Sequence, residues 1–181
     1  MRIALFILGL CFVFFSCKDA EKTKLLTEIN EMESQLDSME VLAEKSKIDT
    51  LFKITNRIKA NIAEVSKYYT ADTINYEAAK LMNLYKQSMK ALSSNSGNIA
   101  KVRNSIPEVR EKLADLKFDI EHGVGNRESY TDYVDFEREK VKQIGEILEY
   151  YIETKNKFIG KYLESDPKVV ELIKKLKDEE E

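Results

Sequence analysis

The sequence contains a single histidine, His122, and only two cysteines, Cys11 and Cys17. One histidine cannot supply the two Glu-x-x-His pairs of a di-iron helical bundle, and no Cys-x-x-Cys precedes it for a c-type haem. The sequence also shows no Ser-His-Asp motif around this histidine, and it has neither a glycine-rich phosphate loop nor a nucleophile elbow. We therefore expect no metal, no cofactor and no enzymatic activity, and we place His122 on the surface at a helix end.

Tryptophan is absent, and the 181 residues include only six glycines and two prolines. A chain with so few helix breakers and 34% charged residues is typical of a helical domain rich in Glu, Lys, Leu and Ile. The net charge is −3. Because both signs are interspersed along every predicted helix, no basic stripe is left for nucleic acid. The composition predicts a single all-α domain that does not bind nucleic acid.

The N-terminal segment has the features of an export signal. Arg2 is followed by an apolar run over 3–15, which is too short to span a bilayer, and then by the small residue Ser16 and by Cys17. This segment resembles a bacterial lipoprotein signal, and the resemblance covers residues 1–17 only. It implies cleavage before the cysteine and attachment of lipid to Cys17. The alternative is an ordinary secretory signal that is cleaved without lipidation.

This resemblance has consequences for the mature chain. Residues 1–16 would be removed, Cys11 would leave with them, and 17–24 would form a short lipidated tether. No thiol would then be free for a disulfide or a metal site. Lys18, rather than Asp, follows the cysteine, which in Gram-negative lipoproteins implies sorting to the outer membrane. The expected partner is therefore a membrane, reached through the lipid anchor.

A long amphipathic pattern covers 25–69. Its apolar residues recur every three or four positions, which predicts a helix. Three steps of four through Ala43, Lys47 and Leu51 form a stutter, which changes the local supercoil without ending a helix. We therefore predict one bent helix rather than two.

Turn signals divide the rest of the chain. The strongest is the polar cluster at 93–98, and the others lie at 70–73, 122–126 and 165–167. They predict a second helix ending near residue 92, a third over 99–120, a fourth over 128–163 and a short C-terminal helix over 169–176. Pro107 predicts a kink in the third helix, Gly123 and Gly125 predict positive φ at its end, and Pro167 predicts a break or a kink.

These lengths predict an antiparallel four-helix bundle as the head, over 47–149, because short loops make consecutive helices antiparallel neighbours. The first and fourth helices are too long for the head. Their overhangs, 25–46 and 150–177, would form a coiled-coil-like stalk, and the whole of 25–181 would be one helical domain. In the predicted register, three pairs of residues face one another in an antiparallel arrangement: Leu51 with Leu148, Ile58 with Val141 and Val65 with Val134.

Two charged residues occupy apolar positions of the fourth helix, Glu137 and Lys155. They lie about five turns apart, too far to act on one bond. Charges at such positions more often fix register, and the predicted register places Lys155 opposite Glu44.

Two surfaces are candidates for contact with a partner. A two-helix stalk would leave apolar side chains exposed, which predicts a protein partner or weak homo-oligomerisation; these side chains are Leu25, Leu26, Ile29, Met32, Leu36 and Met39. Four tyrosines would meet at the far tip of the head: Tyr68, Tyr69, Tyr130 and Tyr133. We expect a lipid-anchored interaction or scaffold protein of the cell envelope. The alternative is a helical bundle that binds a small hydrophobic ligand or cofactor.

Overall fold

The computed structural model describes the backbone of residues 2–46, 48–70 and 75–179, and the side chains of 20–46, 51–70, 75–89, 95 and 97–179. Every element in this part of the chain is helical, so the predicted all-α class is confirmed. The elements are α1 (Arg2–Lys45), α2 (Ile48–Tyr68), α3 (Tyr76–His122), a short 3-10 helix (Arg127–Ser129) and α4 (Tyr130–Asp178).

The chain divides into two compact units, and three helical segments build each of them. The first unit consists of Met1–Leu42 and Arg103–Glu146, which bring together α1, the second part of α3 and the first part of α4. The second unit consists of Ala43–Val102 and Ile147–Glu181, which bring together α2, the first part of α3 and the second part of α4. The predicted division into a head and a stalk groups these segments differently.

The loop predicted at 93–98 is absent, because α3 continues through it. Asn95 is buried, and its amide nitrogen donates to the backbone carbonyl of Tyr151 at 3.2 Å. Asn98 donates to the side-chain oxygen of Asn95 at 2.7 Å. Polar residues of the segment predicted as a loop thus take part in a contact between helices, and this packing overrides the low helix propensity of the segment.

Because one expected chain reversal is missing, the first and last helices run parallel, not antiparallel as predicted. In the first unit, Glu28 on α1 pairs with Arg138 on α4. In the second unit, Arg57 on α2 pairs with Asp166, and Glu64 pairs with Lys177 further along both helices. The residue numbers rise together within the second unit, as they do in parallel helices. The predicted pairs of Ile58 with Val141 and of Val65 with Val134 are wrong, since the residues next to them on α2, Arg57 and Glu64, pair with Asp166 and Lys177. Leu51 and Leu148 belong to the same unit, but the antiparallel register that paired them is also wrong.

The core of the first unit contains four of the six residues that were predicted to be exposed on a stalk, and the other two, Leu26 and Met39, are half-buried. Leu25, Ile29, Met32 and Leu36 are at most 5% exposed. The prediction of an open apolar stripe is therefore wrong. The second part of α3 lies along α1 instead, with Arg110 to Asp37 at 2.7 Å among the ion pairs between the two helices.

The regular heptad of α3 is buried as predicted. Its apolar positions are all less than 9% exposed: Ile99, Val102, Ile106, Val109, Leu113, Leu116 and Ile120. Gly123 and Gly125 follow with φ of 65° and 80°, which confirms the predicted helix end.

The single bent helix predicted over 25–69 is wrong, because α1 ends at Lys45 and α2 begins at Ile48. Ser46 forms a bend between them and is buried. Its carbonyl accepts from the Tyr151 hydroxyl at 3.4 Å, and its own hydroxyl accepts from Lys155 at 3.5 Å. The stutter is thus where the chain leaves the helix, because side chains of α4 satisfy the polar groups that the break releases.

Neither proline ends a helix. Pro107 lies inside α3 and Pro167 inside α4, so the predicted separate C-terminal helix is part of α4. Each proline removes one backbone hydrogen bond, which costs about 3 kcal/mol in a helix interior. Both prolines are exposed, and buried residues flank each of them, Ile106 and Val109 beside Pro107 and Asp166 and Val169 beside Pro167, so packing maintains the helices across both sites.

Two further predictions concern the ends of helices. The predicted tether over 17–24 belongs to α1, which is helical from Arg2. Of the cap predicted at 70–73, residues 71–73 lie outside the described part of the chain. The described cap of α3 is Asn75, whose side-chain oxygen accepts from the backbone N–H of Ala78 at 3.1 Å.

Candidate functional site

A buried carboxylate on α4 joins all three helices of the second unit. Asp166 Oδ1 accepts the Tyr85 hydroxyl at 2.6 Å, the Asn61 amide at 3.2 Å and Arg57 Nε at 3.3 Å. Asp166 Oδ2 lies 2.9 Å from Arg57 Nη2. The Asn61 amide also donates to the Tyr85 hydroxyl at 2.9 Å. We call these four residues the Asp166 network.

The buried carboxylate of the network is balanced by a cation at the surface of the unit, since the Arg57 side chain is 56% exposed. Tyr85 is fully buried, and Asp166 is 7% exposed. Burial and the hydrogen bond to Asp166 raise the pKa of Tyr85 above its ordinary value, so its hydroxyl remains a donor. The hydrogen bond to Asp166 raises the pKa of Arg57, and burial raises that of Tyr162, whose ring stacks on Tyr85. The network can position three helices, but it places no activated nucleophile beside an open site.

The sequence analysis missed this network, because Asp166 precedes Pro167 and the two were interpreted as a helix breaker. One signal was present. Phe158, Tyr162, Asp166 and Val169 follow one another at helical spacing, so continuing the apolar stripe of α4 past the proline places Asp166 at a core position.

A groove of about 730 Å³ lies between α3 and α4 in the second unit. Its apolar lining consists mainly of Leu81, Leu84 and Leu172. Three lysines and two glutamates also line it: Lys80, Lys168, Lys175, Glu77 and Glu164. Because Tyr85 follows Leu84 directly, its hydrogen bond to Asp166 fixes the spacing of the two walls beside the groove.

The ammonium groups of the groove differ in their partners. Lys168 pairs with Glu164 at 3.4 Å on its own helix, and Lys175 pairs with Glu171 at 2.8 Å. Among the described residues, Lys80 on the opposite wall has no ion-pair partner. The groove thus offers an apolar floor with a cation that an acidic side chain would satisfy.

A second, smaller recess of about 350 Å³ lies between α2 and α3 in the same unit. Val65, Tyr69, Ala78 and Met82 give it a largely apolar lining. The Tyr69 hydroxyl accepts the backbone N–H of Asn75 at 2.7 Å, which ties the end of α2 to the start of α3.

The four tyrosines of the predicted contact surface are divided between the units. Tyr68 and Tyr69 belong to the second unit, whereas Tyr130 and Tyr133 belong to the first. Tyr130 is 8% exposed and donates to two backbone carbonyls, so it supports a turn instead of facing a partner. Tyr133 is exposed. The tip in which the four would meet depended on the antiparallel register, which the structure does not have.

The two charges predicted on the apolar stripe of α4 also fall in different units. Glu137 is buried, and Lys140 lies 3.1 Å from its Oε1. Its Oε2 has no hydrogen-bond partner among the described residues. Lys155 is half-buried and reaches the hydroxyl of Ser46, where the predicted register placed Glu44.

His122 lies on the surface in the last turn of α3, as predicted. Its ring stacks on Phe118 with 4.1 Å between centroids, and its Nδ1 lies 2.8 Å from the Phe118 carbonyl oxygen. Within the described residues, no group of three His, Cys, Asp or Glu side chains is arranged to hold a metal ion.

The side chain of Cys17 lies outside the described residues, so its predicted lipidation stays a prediction. No helix in the described part of the chain has an apolar stretch suited to crossing a bilayer. No family model matches the sequence, and no curated protein or solved structure matches it. Any functional conclusion therefore depends on the residues themselves.

Proposed function

We propose that this chain is a lipid-anchored protein of the cell envelope that acts as an interaction or scaffold module and has no catalytic activity. The observation that carries the proposal is the segment 1–17, with its positive start, its short apolar run and its cysteine directly after a small residue. Lipid attached to Cys17 would insert into the membrane and anchor the protein there. The rest of α1 would then lead into the helical first unit.

The outer membrane is the proposed location. Lys18 follows the modified cysteine, and an aspartate at this position is what usually retains Gram-negative lipoproteins in the inner membrane.

We propose the groove of the second unit as the surface that contacts a partner. Its occupant would be an amphipathic helix, because leucines from α3 and α4 line the groove together. Acidic residues on that helix would meet Lys80 and Lys168, which stand on opposite walls. A fourth helical segment would thereby cover the apolar floor between α3 and α4.

Metabolic labelling with radioactive palmitate tests the anchor. The wild type and Cys11→Ala are expected to incorporate label and to sediment with membranes, because Cys11 leaves with the signal. Cys17→Ala is expected to do neither. Equal labelling of all three proteins, or release of the wild type into the soluble fraction, would contradict the proposal.

Photocrosslinking in cells tests the groove. A benzophenone amino acid at position 84 is expected to give a discrete crosslinked product, whereas the same probe at the exposed Leu163, outside the groove, is not. Combining Lys80→Glu with Lys168→Glu is expected to reduce the yield at position 84. Identical products at both positions would argue against the groove.

A ligand-binding role is the second candidate, and the apolar recess beside Val65 and Met82 is the observation that favours it. Its volume falls in the range of small-molecule sites, about 300 to 1,000 Å³. Native mass spectrometry of the protein from its own cells would then reveal a bound small molecule that Met82→Glu abolishes. A mass equal to that of the polypeptide and its anchor would exclude this role.

A further inference from the structure

The turn between α3 and α4 presents an apolar side chain at its tip. Val124 lies between Gly123 and Gly125, which both have positive φ, and it is 50% exposed. A branched apolar residue between two glycines has no neighbouring side chain to cover it.

Three backbone polar groups of this tip have hydrogen-bond partners inside the protein. The N–H of Val124 donates to the Asp119 carbonyl at 2.9 Å. The Tyr130 hydroxyl is shared between the carbonyls of Val124, at 2.5 Å, and Asp119, at 2.8 Å. The carbonyl of Gly123 accepts from Arg127 Nε at 2.7 Å. Exposed turns usually leave such groups to water, whereas these three groups would keep their hydrogen bonds if the tip entered a membrane surface.

The turn also lies close to the proposed lipid anchor. Lys22 on α1 donates to the carbonyl of Glu121 at 2.7 Å, so the start of α1 and the end of α3 are neighbours. Cys17 precedes Lys22 by five residues, which is about 8 Å along a helix and at most about 17 Å in an extended chain. Since α1 and α4 run parallel and Glu28 pairs with Arg138, the start of α4 lies beside the same end of α1.

The distance from Cys17 to Lys22 along a helix is comparable to the thickness of the headgroup layer of a membrane. The polar region on each side of a bilayer is about 5 to 8 Å thick, the difference between the whole bilayer and its hydrocarbon core. With lipid chains on Cys17 in the hydrocarbon, a turn level with that residue would lie among the headgroups.

We infer that the α3–α4 turn is a second membrane contact, in which Val124 enters the headgroup layer beside the lipidated Cys17. This inference rests on the proposed lipid anchor. The lipid is zwitterionic, because the exposed Glu121, Glu128 and Asp132 flank the turn and would be repelled by an anionic surface. The contact fixes how the first unit stands on the membrane, which a single anchor leaves free to rotate.

Fluorescence quenching in vesicles tests this contact with the lipidated full-length mature protein. Since Cys17 is blocked by lipid and Cys11 is removed, Val124→Cys introduces a unique thiol for a fluorophore. Gln143→Cys, on an exposed position of α4 in the same unit, is the matched control about 20 Å further along that helix. Phosphatidylcholine vesicles carrying nitroxide at the headgroup are expected to quench most of the emission at position 124 and little at position 143.

The remaining outcomes separate the inference from the proposed anchor. Vesicle flotation with equally weak quenching at both positions would overturn the turn contact and leave the anchor intact. Failure of the protein to float or to incorporate palmitate would overturn both. Adding phosphatidylglycerol is expected to weaken quenching at position 124. Stronger quenching there would show adsorption by charge and would refute the inference.

Discussion

Replacing Tyr85 by phenylalanine removes one hydroxyl from the centre of the second unit. That hydroxyl makes the shortest hydrogen bond to Asp166, at 2.6 Å, and it accepts from Asn61 at 2.9 Å. A hydrogen bond to a charged group contributes about 1.5 to 3 kcal/mol. Asn61 and Arg57 still donate to the carboxylate in the variant, so no group is left without a partner. We expect Tyr85→Phe to lower the free energy of unfolding by about 2 kcal/mol.

Urea denaturation followed by circular dichroism measures this loss. Tyr133→Phe is the matched control, because Tyr133 is exposed and lies in the first unit. Its effect should stay within about 0.5 kcal/mol. A loss below that limit for Tyr85→Phe, or equal losses for the two variants, would show that the Asp166 network does not stabilise the second unit.

Alkaline pH gives an independent test of the same residue. The pKa of Tyr85 is raised in the folded protein, so the folded state holds the phenol proton more tightly than the unfolded state does. Its contribution is complete below the unfolded pKa, about 10, and is lost as pH rises above that value. The free energy of unfolding should therefore fall more steeply above pH 10 in the wild type than in Tyr85→Phe. Parallel pH profiles would refute this assignment.

Three further predictions use the same unfolding measurement. Leu113→Asp places a charge at a fully buried position and should lower the free energy of unfolding by about 4 kcal/mol. The control, Lys112→Asp on the exposed face of α3, should change it by no more than about 0.5 kcal/mol. Similar urea midpoints for the two variants would be inconsistent with the α3 core. Arg57→Ala removes a cation whose side chain is 56% exposed, and because Tyr85 and Asn61 still donate to Asp166, it should cost only about 1 kcal/mol; a loss of about 3 kcal/mol or more would mean that the carboxylate behaves as an unpaired buried charge. Gly123→Ala, at φ 65°, should lower the free energy of unfolding by about 1 kcal/mol. Gly97→Ala should raise it by about 0.5 to 1 kcal/mol, because Gly97 lies in a helix with no atom within 4 Å of the added carbon. Changes of the same sign would contradict this backbone argument.

The features that the sequence predicted well are those that neighbouring residues determine. The heptad from Ile99 to Ile120 indicates which side of α3 is buried, because helical geometry alone places these residues on one face. Gly123 and Gly125 indicate the end of α3 for an equally local reason, since positive φ is favourable for glycine.

The failures came from contacts between residues far apart in the chain. The hydrogen bond from Asn95 to the Tyr151 carbonyl keeps a polar segment helical, and no local pattern shows that contact. Missing it added one chain reversal, which then misplaced the partners of α1 and the predicted tyrosine surface. Asp166 was missed for a similar reason, because its hydrogen-bond partners lie on α2 and α3.

The use of α4 by both units has a consequence for the order of folding. Leu25 to Leu36 become available early in synthesis, yet the core that buries them includes residues up to Glu146. The core of the second unit includes still later residues, up to Val169. Domains commonly fold as they emerge from the ribosome, N-terminal part first. Here neither core can close until α4 has been made, so the growing chain stays open to the unfolded transport that its proposed export would require.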